Sequence, residues 1–197
     1  TSWATSRMPT NAMPLDSSRL FLVVGPSGVG KDSVLDMARA HFRDNPDVLF
    51  PKRIITRAAD AGGEAHIAMD EATFQARAMA GDFVLSWQAH GYHYGISKDI
   101  CAAIGSGRQV VVNVSRTVIS TAQSRFSHVT VIAITAKPEI IAARLQQRGR
   151  ETAAEIAKRI ERAKLSLPGD ADVRSIDNSG SLEDALVAFR AIISTPA

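Results

Sequence analysis

Apolar residues fall in short dense blocks separated by polar breaks that carry glycine or proline. Leu20–Val24, Gln109–Val114 and Val129–Ile134 are apolar at almost every position, the pattern of strands buried on both faces. Between them apolar residues recur at helical spacing. The pattern predicts helices from Lys31 to about Phe42, over Asp70–Met79 with Asp70 as cap, over Lys98–Ile104, Pro138–Arg148, Thr152–Leu165 and Leu182–Ile193. A further strand is expected at Asp82–Ala89, a turn at Gly91–Gly95, an extended stretch at Val48–Thr56, and a short last strand at Val173–Ile176. Strands that alternate with helices imply an α/β fold, a parallel sheet flanked by helices on both faces. The span 50–95 breaks the alternation and reads as an inserted binding segment.

Composition adds limits. The chain of 197 residues, 45% hydrophobic, suits one domain over 19–197, with residues 1–18 expected to form a flexible leader. A net charge of +3 is too mild to suggest a nucleic-acid surface. No apolar run reaches membrane length, so no membrane partner is expected. The single Cys101 forms no internal disulfide and fits a reducing, cytoplasmic location. A monomer and a homodimer both remain open.

The chemistry concentrates after the first strand. Gly25-Pro26-Ser27-Gly28-Val29-Gly30-Lys31-Asp32-Ser33 fits the phosphate-binding loop G-x-x-x-x-G-K-[ST] at Gly25, Gly30 and Lys31. Glycines admit phosphate close to the main-chain N–H groups, and the following helix adds its positive end. Lys31 is placed to bridge the β- and γ-phosphates of a nucleoside triphosphate. The position after the lysine, where a hydroxyl normally meets Mg²⁺, holds Asp32, and Ser33 follows one place late. An acid in a helix's first turn favours the dipole. Beside phosphates it would repel them unless it bound Mg²⁺, so Asp32 is expected as a metal ligand, direct or through water.

The segments Ile55-Thr56-Arg57, Gly63-Glu64, His90-Gly-Tyr-His-Tyr-Gly95 and Ser97-Lys98 resemble, in order, those of the guanylate kinases. The resemblance implies a P-loop kinase fold with an acceptor-binding insertion at 50–95 and a helical lid over 144–160. It implies that Arg57 holds the acceptor phosphate with Tyr94 nearby, that Arg144, Arg148 and Arg159 are lid arginines, and that Asn178 lies near the adenine. Arg144 and Arg148 are the catalytic candidates beside Lys31.

The departures are informative. Guanylate kinases end the strand after the insertion with two acids, whereas this chain reads Val112-Asn113-Val114-Ser115-Arg116. Ile96 replaces a hydroxyl residue. The second phosphate arginine is missing, and Asp60 lies in that loop. A site that reads a base needs its polar partners, and several are gone. The Lys31-Asp32-Ser33 ending, Arg53-Ile-Ile-Thr-Arg57, Gly62-Gly63-Glu64-Ala65-His66, Trp87-Gln-Ala-His-Gly91 and Asn113-Val-Ser-Arg116 resemble instead the ribose 1,5-bisphosphate phosphokinases. That likeness implies ATP-dependent phosphorylation of a sugar phosphate, ribose 1,5-bisphosphate, to 5-phosphoribosyl 1-diphosphate in phosphonate degradation. Glu64 and His66 become candidates for sugar hydroxyls, and Arg116 for a second phosphate. A nucleoside monophosphate kinase, a kinase of another phosphorylated sugar and a non-enzymatic binding module are the alternatives.

Overall fold

The computed structural model describes residues 19–59, 64–148 and 167–194. The leader 1–18, the loop residues Asp60, Gly62 and Gly63, the helix expected at Thr152–Leu165 and the lid beyond Arg148 lie outside these residues, as does the side chain of Arg148.

Five parallel strands form the main sheet in the order β2-β7-β1-β8-β9. They are β1 (Leu20–Val24), β2 (Val48–Leu49), β7 (Gln109–Asn113), β8 (Val129–Thr135) and β9 (Asp172–Asp177). β1 is central, with Phe21 opposite Val111 on one side and Thr130 on the other. Every residue of β1 is buried, which explains its unbroken apolar run. Its side chains alternate between two cores. Phe21 and Val23 pack with Val34, Leu35 and Ala38 of α1 (Lys31–His41) and Phe189 of α6 (Leu182–Ser194). Leu20, Leu22 and Val24 pack on the other face with Ile100 of α3 (Ile100–Gly105) and Ile119 and Ala122 of α4 (Ile119–Arg125).

A second sheet of order β4-β3-β6-β5 spans Ile54 to Ser97, with β3 (Ile54–Ile55), β4 (Ile67–Ala68), β5 (Phe83–Ala89) and β6 (Tyr92–Ser97). Between β4 and β5 lies α2 (Glu71–Met79), whose Asp70 carboxylate accepts from the Thr73 N–H at 2.8 Å, and which Gly81 follows at φ 74°. Phe74 of α2 stacks on Phe83 at 4.5 Å, and with Ile54 they make a small core of their own. Val84, Leu85 and Ile96 belong instead to the main core, joining the second sheet to the first.

Two expectations change, and one unassigned stretch gains an element. The extended stretch Val48–Thr56 divides between the two sheets: β2 joins β7, and β3 joins β6 and β4. The turn is not Gly91–Gly95 but the pair His90-Gly91, at φ 52° and 78°, the positive values that a tight hairpin requires. Residues 92–97 are then strand, despite the His, Tyr and Gly among them. Residues 116–125, to which the sequence pattern assigned no element, form a 3₁₀ turn (Arg116–Val118) and α4; the Ser115 hydroxyl caps the turn by accepting from the Thr117 N–H at 3.3 Å.

Candidate active site

The phosphate loop connects β1 to α1 and is held from behind. Gly28 and Gly30 take φ values of 85° and 84°, and a Cβ on Gly30 would overlap the Asn178 amide. Glycine is needed there both for the backbone angle and for the space. The Val29 carbonyl accepts from Asn178 Nδ2 at 2.8 Å and from Arg144 at 3.1 Å, and Arg144 also donates to the Asn178 carbonyl at 3.0 Å. Asn178 is 1% exposed, so it braces the loop from inside. Arg144, expected beside the transferring phosphate, does not line the cavity in front of the loop; both of its terminal nitrogens are spent on carbonyls behind it.

That cavity measures about 520 Å³ and runs between the two sheets. The loop contributes Gly25, Pro26, Ser27, Gly28, Gly30, Lys31, Asp32 and Ser33. The acceptor side contributes Arg53, Arg57, Trp87, Ala89, His90 and Tyr94, and the end of β7 adds Asn113 to Arg116. Lys31, Asp32, Arg57, Tyr94 and Arg116 therefore share one space, although they are far apart in sequence. Lys31 Nζ donates to the Gly25 carbonyl at 3.3 Å. Burial pushes its pKa below the ordinary 10.5; Asp32 and Glu64 offset this in part, while Arg53 and Arg116 add to it.

Behind the cavity wall is a cluster that sequence reasoning missed. The Glu64 side chain is 2% exposed and its two oxygens accept from Arg39 of α1, from Arg53 at 2.7 Å and from the Asn113 amide. Burial raises the Glu64 pKa, but the neighbouring Arg53 and Arg39 charges and the Asn113 bond outweigh this, leaving it below 4.5. Glu64, expected at a sugar hydroxyl, is thus fully engaged below the wall and holds Arg53 in it. His66 also lies off the cavity, with Nδ1 3.1 Å from the Glu64 carbonyl and Nε2 3.1 Å from that of Arg57. The Arg53 guanidinium is set 5.4 Å from the centre of the Tyr94 ring, which stacks on Trp87 at 5.3 Å and 6°. Only the repeated arginine of Arg53-Ile-Ile-Thr-Arg57 hinted at this in the sequence.

Asp32 and Ser33, exposed in the first turn of α1, offer a carboxylate and a hydroxyl at the cavity edge. These are hard oxygen donors, and Mg²⁺ needs only one or two from a protein when phosphates supply others, so the donor set fits that ion. Among the described residues no cluster of three or more His, Cys, Asp and Glu side chains forms a metal cage. No described helix is long and apolar enough to cross a membrane.

Comparison with known proteins agrees with this architecture. The chain superposes on the guanylate kinase of Anaplasma phagocytophilum with a TM-score of 0.62 at 17% identity, over 90% of this chain and 85% of that one. It is similar to the ribose 1,5-bisphosphate phosphokinase PhnN of Acidiphilium cryptum (48% identical, covering 90% of this chain and 93% of the relative). Its likeness to the proteins of that name from Ruegeria sp. (46%; 92% and 97%) and Agrobacterium fabrum (43%; 84% and 91%) is as broad. The sequence profile of the guanylate kinase family matches residues 17–195. The chain belongs to the guanylate kinase family and, within it, to the family of the ribose 1,5-bisphosphate phosphokinases.

Proposed function

We propose that this protein transfers the γ-phosphoryl group of ATP to the 1-phosphate of ribose 1,5-bisphosphate, giving 5-phosphoribosyl 1-diphosphate and ADP. The observation that carries the reading is the cavity itself. It joins a phosphate loop to four cationic side chains, Lys31, Arg53, Arg57 and Arg116, and has Asn113 and Ser115 where a base-reading relative would carry acids. The printed names of the relatives agree with it.

The acceptor is already a nucleophile. A phosphate monoester has its second pKa near about 6, so an oxygen of the 1-phosphate is ionised at neutral pH and no general base is required. That oxygen attacks the γ-phosphorus, the bond to the bridging oxygen breaks, and its electron pair leaves with ADP. Two polyanions must be held in line and the charge of the transferring group neutralised. The loop N–H groups and Lys31 serve the nucleotide, with Asn178 and Arg144 holding the loop in shape. Arg57 and Tyr94 serve the reacting phosphate. Asp32 and Ser33 would hold Mg²⁺, which supplies charge neutralisation across the phosphates. Arg148, a lid arginine by resemblance, would help neutralise the charge of the transferring group.

A coupled assay of ADP release decides the matter. Turnover with ribose 1,5-bisphosphate is expected and none with GMP; the reverse result would make the chain a nucleotide kinase. Replacing Asp32 with Ala is expected to raise the Mg²⁺ concentration needed for half-maximal rate, and unchanged metal dependence would remove Asp32 from the metal site.

A further inference from the structure

We propose that Arg53 anchors the phosphate of the acceptor that does not react, the 5-phosphate, and so makes the site selective for a bisphosphate over a monophosphate sugar. The inference rests on the functional reading above. The loop and Lys31 account for the nucleotide phosphates, and Arg57 for one acceptor phosphate. A bisphosphate brings a second dianion that needs its own partner, and Arg53 and Arg116 are the cavity arginines left to hold it.

Arg53 is built for such a partner. It lines the cavity with its side chain only 15% exposed. One terminal nitrogen is fixed on Glu64, while Nε is buried and has no hydrogen-bond partner among the described residues. The terminal N–H groups that Glu64 does not take are the ones left for the cavity. A guanidinium presents paired N–H groups that match two phosphate oxygens, and the bond to Glu64 does not use them all. Its direction is set, because Glu64 holds one end and the Trp87–Tyr94 stack limits the swing of the other. Glu64 does not cancel the charge of Arg53 outright, since it also serves Arg39. Arg53 and Arg57 flank β3 and reach the same cavity. Four residues of extended chain separate them by at most about 14 Å, room for the two ends of a five-carbon sugar.

The test compares ribose 1,5-bisphosphate with ribose 1-phosphate, which keeps the reacting group and lacks the distal one. For Arg53→Gln, kcat/KM on the bisphosphate is expected to fall about 10- to 100-fold, mainly through KM, as for loss of a charged hydrogen bond. On ribose 1-phosphate it should move by less than about threefold, since the contact removed is absent there. The KM for ATP should not change. Arg53→Lys, which keeps the charge without the fork, should recover part of the loss, and it carries the comparison if Arg53→Gln does not fold. Equal losses on both acceptors, or a bisphosphate preference that survives the substitution, would overturn the inference alone. Turnover of GMP with neither sugar used by the unaltered enzyme would overturn the functional reading and the inference with it.

Discussion

Glu64 shows how one buried charge can organise a site it does not touch. Its carboxylate receives two guanidiniums and an amide from three separate parts of the chain. The folded state therefore holds it ionised below the ordinary 4.5, so its contribution to stability is complete above that value and disappears as the pH falls through the lower folded value. Glu64→Gln is expected to cost about 3–5 kcal/mol near neutral pH, because the arginines lose their counter-charge. The gap to the unaltered protein should narrow on acidification below pH 4.5. Thermal melting against pH measures this, and a gap that stayed constant would argue that Glu64 is not the titrating group. Beyond the repeated arginine of Arg53 and Arg57, little of this was legible in the sequence. Gly63-Glu64 carries no sign that Arg39, Arg53 and Asn113 converge on it, because only tertiary pairing brings residues so far apart together. The phosphate loop was legible because all its parts are contiguous, from the apolar run of β1 to Lys31.

Elements were legible where their pattern was strong and local. α2 announced itself through Asp70 and Gly81, β1 through an unbroken apolar run, and β7 and β8 through dense ones. β6 was hidden because Tyr92-His-Tyr-Gly95 has the composition of a turn, and its pairing with β5 and β3 overrides that preference. α4 was hidden because Ser and Thr favour caps and turns, yet Ile119 and Ala122 are fully buried and hold the segment helical. The small core under the acceptor sheet makes a prediction at this scale. Phe74 is 2% exposed and stands on Phe83, so Phe74→Ala should cost about 3–5 kcal/mol. Ile54 belongs to that core and adjoins Arg53 in sequence, so the KM for the acceptor should rise while that for ATP holds. A rise in both would show that the two sheets do not respond separately.

At the scale of the molecule, the cavity concentrates positive charge between two sheets that share one core. Lys31, Arg53, Arg57 and Arg116 line it, with Asp32 as the opposing carboxylate. Such a field draws polyanions in and is screened by salt. The KM for the acceptor is expected to rise several-fold between low salt and about 0.5 M, with kcat much less affected. Steady-state kinetics across ionic strength measures this, and a flat response would mean that attraction over distance plays no part in acceptor capture.

The brace behind the phosphate loop has a consequence for how the protein is made. Val29 leaves the ribosome first, and the Asn178 amide that holds its carbonyl follows 149 residues later. The strands on either side of β1 also come late, β7 and β8 both following the second sheet. A nascent chain can therefore carry the entire glycine-rich motif and still lack the clasp that shapes it. The clasp closes only after translation has passed Asn178, so a loop held in this shape also reports that all five strands of the main sheet have been synthesised.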